Sequence, residues 1–399
     1  MKYLDQTVST GAPLLALDGT FKLNSLGYPL LIVTTQDSLH QVFPIAFAPC
    51  SSECEETVTF VLTSVVKAYK LLYNKALNVK FFISDCALYM FSSVRKVFPA
   101  LKAHISCYFH VKQSQKKRGM SDRGVHKDDR KAILSHLDVI HQMVTKEHFI
   151  KYWQLFKKEY LIYDDYCKYF EDTYINSNCN LWHFFDVDAN VFLTNNCCES
   201  LNSMIKRDWT NRERRPLHIF FKTLKDGIYQ LANQNKPFIP EVEVTTNLQI
   251  EAAKLESKGL FVKFKDYYFI QKKHDEGKIS MDQAKRFVNI KYSNLTDFKK
   301  DCLTMNVLKV NNTEKTVTCF CSSGFKSGVC VHKLALEINL KFRQKLVLLV
   351  PKRRRGRKRK AATAMNYQQD EPKRFKKQGL GNRSEPITVI LKKNKSQRK

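Results

Sequence analysis

The stretch LLALDGTFKL, Leu14 to Leu23, decides the fold. An Asp-Gly pair between apolar runs is a strong hairpin-turn signal. The same residues also read as one strand, Pro13 to Leu23, that carries an acid. The flanking sequence fits the strand. Pro29 to Thr35 and Val42 to Ala48 read as two more strands. Ser52-x-x-Glu55 spells a capping box, and after it Val58, Val61, Leu62, Val65, Val66 and Tyr69 recur at helical period. Val79 to Ser84 is a short apolar strand, Leu88 to Val97 a helix and Ala103 to Phe109 another strand. Three strands, then helix, strand, helix and strand, predict a mixed α/β sheet over 1–120.

From Lys112 to about Asn190 no strands are legible, and amphipathic stretches such as Ala132 to Phe149 predict a helical insertion over 121–190. Residues 191–240 read as the region of a further helix and 241–300 as a helical connector. A compact Cys/His unit over 301–345 follows, then a disordered basic tail over 346–399.

The charge is the unusual part of the composition. There are 67 Lys+Arg against 38 Asp+Glu, a formal +29. Lys341 to Lys399 hold 21 basic and 3 acidic residues, a net of +18, leaving +11 for the preceding 340 residues. That excess favours a polyanionic partner, with nucleic acid or an anionic membrane surface as the candidates. No apolar run approaches the roughly 18–20 residues of a membrane span, and MKYLDQTVST lacks the apolar segment of a secretory signal. The 12 cysteines therefore read as reduced thiols, with tight clusters as metal-ligand candidates. Neither a membrane nor a small-molecule cofactor is expected.

One cluster stands out: Cys319-Phe-Cys321, eight residues, then Cys330-Val-His332. On a strand, positions i and i+2 face the same way, so Cys319 and Cys321 can point at one ion. Gly324 and Gly328 let the loop turn. Three thiolates and an imidazole make a closed tetrahedral set, suited to structural Zn2+. The spacing is that of the SWIM-type finger, on a small ββα-like unit.

Three acids have a plain reading each and a joint one. Asp18 fits a turn, Asp85 after KFFIS fits a helix N-cap, and Asn196-x-x-Glu199 has capping-box spacing. Together, two aspartates at strand ends and a glutamate opening a later helix are what a two-metal carboxylate site requires. Two Mg2+ or Mn2+ ions about 3.5–4 Å apart would stabilise the attacking and leaving oxygens of a phosphodiester displacement. In order and spacing, LDGTFK, ISDCA, CYFH and TNNCCES resemble the Mutator-like (MULE) transposases over about Leu14 to Leu224. The resemblance implies an RNase H-like fold with an all-helical insertion, and Asp18, Asp85 and Glu199 as its DDE triad. Cys107-x-x-His110 matches an auxiliary element of that family, which places His110 beside the active site; a buried structural pair is the other reading. Lys112, Lys116, Lys117 and Arg118 follow it, as DNA contacts or as a solvated helix face.

In the tail, Lys352, Arg353, Arg354, Arg355, Arg357, Lys358, Arg359 and Lys360 surround one glycine, and Lys373, Arg374, Lys376 and Lys377 repeat the theme. Such density cannot pack a core and suits a nuclear localisation signal and phosphate binding. The run also resembles an AT-hook without its proline. The expectation is a nuclear DDE transposase that cuts and rejoins DNA, with self-association on DNA implied by the resemblance. The alternative is a domesticated, non-catalytic DNA-binding protein. The chain begins shortly before Asp18, where the family usually carries a DNA-binding domain, so recognition of element ends is not expected of these residues.

Overall fold

The computed structural model describes residues 1–11, 13–186, 196–274 and 277–345. The basic tail, Lys352 to Lys360 and Lys373 to Lys377 included, lies outside them. Five strands form the first sheet: β1 (Leu14–Thr20), β2 (Leu30–Gln36), β3 (Val42–Pro49), β4 (Phe81–Ser84) and β5 (Ala103–Ser106). Their order is β3-β2-β1-β4-β5. The first three strands pair antiparallel, and β1, β4 and β5 run parallel. Asp18 pairs with Ile32 and Gly19 with Leu31, so the Asp-Gly pair lies inside β1 and makes no turn. Pairing on both edges of a buried central strand overrides the local turn preference.

Helices α1 (Lys2–Ser9), α2 (Glu55–Tyr73) and α3 (Leu88–Val97) accompany the sheet. The Ser52-x-x-Glu55 box does not form: Cys54 is the N-cap of α2 and its side chain makes no capping bond. Nor is Asp85 an N-cap. Ala87 takes that place on α3, and Asp85 Oδ1 accepts only the Ala87 N–H, at 3.2 Å. β5 stops at Ser106, so Cys107-x-x-His110 spans the first turn of α4 (Tyr108–Ser114) rather than a strand.

The insertion holds α5 (Lys127–His141), α6 (Lys146–Glu159) and α7 (Asp164–Phe170). Ala132 to Phe149 is thus two helices, because Thr145 caps α6 through its side chain and ends any continuous run. Then come α8 (Asn196–Met204) and α9 (Leu217–Asn233). Cys198 Sγ lies 2.8 Å from Thr34 Oγ1, which ties the start of α8 to the sheet.

Strand alternation assigns the two faces. Leu15, Leu17, Leu31, Val33 and Phe82 pack on one side against Leu4, Leu62, Val65 and Val94 of α1–α3. Leu14, Ala16, Phe81, Ile83 and Ile105 turn to the other side with Cys198, while Leu30 and Ile32 meet Leu201, Ile205 and Phe220. Asp18 follows Leu14 and Ala16 in parity, and Asp85 follows Phe81 and Ile83. Both aspartates therefore belong to the face that α8 covers.

The remainder comprises α10 (Thr246–Ser257), β6 (Val262–Phe264), β7 (Tyr267–Gln271), α11 (Met281–Val288), α12 (Leu295–Thr304), β8 (Met305–Asn311), β9 (Thr316–Cys319), α13 (Ser322–Ser327) and α14 (Val331–Asn339). The segment read as a helical connector, 241–300, contains two strands of a four-stranded antiparallel sheet, β6-β7-β8-β9. Their hairpin turns at Lys265, with φ +54°, without the glycine or asparagine that would have marked it. Tyr152, Phe156, Phe170 and Trp182 of the insertion share one core with Phe269, Phe287, Phe298 and Met305. Insertion and second sheet are one packed body. Among the described residues no helix is long and apolar enough to cross a membrane.

Candidate metal centres

Asp18 is 7% exposed, and both its oxygens are engaged. Asn202 Nδ2 donates to Oδ2 at 2.5 Å, and His110 Nε2 lies 3.8 Å from Oδ1. The same Nε2 is 2.9 Å from Glu199 Oε1. Ligand atoms of Asp18, His110 and Glu199 all fall within 4.8 Å of one another. Glu199, in the first turn of α8, therefore turns toward His110; the Asn196 side chain of the capping-box reading lies outside the described residues. Asp85 stands outside that trio, one residue past the end of β4, where its charge adds to the repulsion on Asp18. The β1–β4 pairing ends with Ala16 beside Ile83.

Sequence reasoning missed two residues here. Asn202 lies one helical turn after Glu199, which its i+3 spacing could have signalled. Glu53 sits on the loop before α2, where its Oε2 accepts a hydrogen bond from Tyr89 at 3.1 Å. A Cβ on Gly19 would come within 1.7 Å of Glu53 Oε1. Gly19 is thus required by the close approach of a second carboxylate, not by a turn.

The electrostatics follow from this crowding. Burial pushes the Asp18 carboxyl up to about 7, with Glu199, Asp85 and Glu53 adding repulsion and His110 opposing it. Burial also raises Glu53. For His110, burial favours the neutral ring, but hydrogen bonds with Cys107 and Glu199 and the charge of Asp18 outweigh it and lift the imidazolium to about 11. Cys107 itself is buried among Ile105 and Cys198. The site is a set of acids held by one protonated histidine.

Cys319, Cys321, Cys330 and His332 form the second centre, also with ligand atoms within 4.8 Å of one another. Cys319 ends β9, but Cys321 lies beyond the strand as the N-cap of α13, so the two do not share a strand face. Cys321 Sγ accepts from Gly324 N–H at 3.1 Å, and Cys330 Sγ caps α14 by accepting from Lys333 N–H at 3.3 Å. A Cβ on Gly324 would meet Cys319 O at 2.7 Å, which explains that glycine. His332 presents Nδ1 to Cys319 Sγ at 4.0 Å. Its Nε2 lies 3.0 Å from His274 Nε2 and 3.2 Å from Asn306 Nδ2. His274 was not legible as a partner, being 58 residues away in sequence.

The finger also touches the first sheet. Phe325 of α13 stacks on Phe184, with ring centroids 3.7 Å apart and planes at 3°, and both join Leu14, Phe81 and Cys198 in one apolar cluster. Of the basic residues after His110, Lys112 is spent within the fold, at 2.6 Å from each oxygen of Asp138.

Residues 14–114 match the family model of the MULE transposase domain, over the five strands and the helix that carries His110. The first sheet is similar to a MULE transposase domain. Asp18, Asp85 and His110 lie within the matched span of this transposase domain; Glu199 and the Cys/His cluster lie beyond it. No curated protein matches the chain.

Two outcomes follow. An Nδ1-bound His332 would donate its Nε2–H to His274, and such outer partners typically carry about 10–100-fold in metal affinity. His274→Ala should weaken zinc binding by that factor in a chelator competition; an unchanged affinity would remove His274 from the centre. The raised Asp18 pKa means that the folded state keeps a proton the unfolded state has lost between about pH 4 and 7. Stability therefore falls as pH rises through that window, by at most on the order of 4 kcal/mol for about three pKa units. Chemical denaturation across this range should show the decline in the wild-type protein relative to Asp18→Asn, and parallel curves would contradict it.

Proposed function

We propose that the chain is a DDE-type transposase that cleaves DNA phosphodiester bonds and transfers the freed 3′-hydroxyl to a target strand. Asp18, Asp85 and Glu199 would hold two Mg2+ or Mn2+ ions. A SWIM-type finger would hold structural Zn2+ through Cys319, Cys321, Cys330 and His332. The observation that carries this reading is the arrival of Glu199, from a helix far along the chain, within 4.8 Å of the buried Asp18 of the transposase domain.

The donor sets fit these metals. Hard divalent cations take carboxylate oxygens, and burial, with repulsion from Glu199, Asp85 and Glu53, lets Asp18 hold its proton near neutrality. The protonated His110 already supplies positive charge at that place. At the finger, thiolates and one imidazole in a closed set suit zinc. Bound divalent ions would supply the charge that stabilises the attacking and leaving oxygens of the displacement. The chain's own groups do the rest. Asn202 orients Asp18, Glu53 and Tyr89 buttress the strand end, and His110, protonated at neutral pH, can donate to a phosphate oxygen. Water is the nucleophile in cleavage.

The test is nicking of supercoiled plasmid by the zinc-loaded protein with Mn2+. The expected result is nicking that falls by at least about 100-fold in Asp85→Asn, since a direct ligand should matter more than the 10–100-fold of an outer partner. No nicking by folded wild-type protein would sink the enzymatic reading in favour of a non-catalytic DNA-binding protein.

A further inference from the structure

A carboxylate site that works on a polyanion faces repulsion from its own ligands, and something beyond the metals must offset it. The helix bearing His110 continues into a π turn, Gln115–Gly119, and a second π turn, Glu171–Ile175, closes on it from the insertion. Tyr174 of the second donates its hydroxyl to Ser114 Oγ at 3.0 Å. Such turns are rare and concentrate at functional sites. Between them and the end of β4 lies a cavity of about 400 Å³, lined among others by Asp85, His110, Gln113, Lys117, Arg118 and Tyr174.

The lining has a direction. Asp85 and His110 stand at the acidic centre, and spacings of three and four along the helix carry the wall through Gln113 to Lys117 and Arg118. The four basic residues of this segment separate by role. Lys112 is paired with Asp138. Lys116 is exposed and does not line the cavity. Lys117 and Arg118 are exposed, line it, and make no ion pair among the described residues. Uncompensated cations held beside a carboxylate cluster suit a phosphate, which guanidinium and ammonium groups bind through charge-assisted hydrogen bonds.

We infer that this cavity seats a DNA backbone phosphate next to the bond to be cut, with Lys117 and Arg118 as its ligands. The position beside the scissile bond rests on the proposed enzymatic function; the phosphate seat does not.

The experiment measures duplex DNA affinity against salt for the full-length, zinc-loaded protein without added divalent metal. It compares wild type, K117Q/R118Q and K116Q. The basic tail contributes equally to all three and drops out of the differences. Each lost phosphate contact lowers the slope of log affinity against log salt by about 0.9. The double variant gives up the one seated phosphate and should therefore be shallower by about 0.9, with K116Q unchanged. An unchanged slope in the double variant, or an equal fall in K116Q, overturns the inference. Because no cleavage is needed, a shallower slope in a protein that never nicks plasmid would refute the enzymatic reading alone. Full nicking with an unchanged slope would refute the phosphate seat alone.

Discussion

The structure around the acidic centre depends on one constraint: Asp18 is buried inside a central strand, on the face that α8 covers. A carboxylate placed there cannot be solvated, so its charge must be met by protein groups or a cation. Asn202 and His110 meet it, while Glu199 shares His110 and adds repulsion. Gly19 follows from the same constraint, since the neighbouring position must admit the Glu53 carboxylate against bare backbone. The mixed pairing of β1, antiparallel to β2 and parallel to β4, then brings the end of β4, and Asp85 just past it, to the neighbourhood of Asp18. The centre is built by strand parity before any side chain chooses a partner.

The second centre is joined to the first by packing. Cys321 and Cys330 each cap a short helix, and the helix between them carries Phe325 onto Phe184 beneath the first sheet. The long aromatic core of the insertion runs into the second sheet. The Cys/His unit is therefore part of the frame that packs against the first sheet through Phe325 and Phe184. Its contact with Phe184 gives it a protein-facing role, whatever it does toward DNA.

Legibility in the sequence followed the range of the signals. The order of strands and helices over the first 120 residues was readable from apolar periodicity, and so was the Cys/His cluster, whose four ligands fall within 14 residues. The nature of Asp18 was not decidable locally, because Asp-Gly reads as a turn until the pairing of β1 with two neighbours is known. Glu53, Asn202 and His274 were missed because their partners are distant in sequence. β6 and β7 were missed because they are short, turn on Lys-Asp, and lie between helices. Two capping assignments failed for one reason. Ser52 and Asp85 have the right letters, but each helix starts elsewhere, α2 after Cys54 and α3 after Ala87.

The constellation around Asp18 is the proposed cation site. The most direct measurement is Mn2+ binding at neutral pH by the zinc-loaded protein and by Asp18→Asn, with zinc content and thermal stability checked in both. The account predicts that the wild-type protein binds Mn2+, and that Asp18→Asn loses at least about 100-fold in affinity while keeping its zinc and its fold. Equal Mn2+ binding by a folded, zinc-loaded Asp18→Asn protein would contradict it.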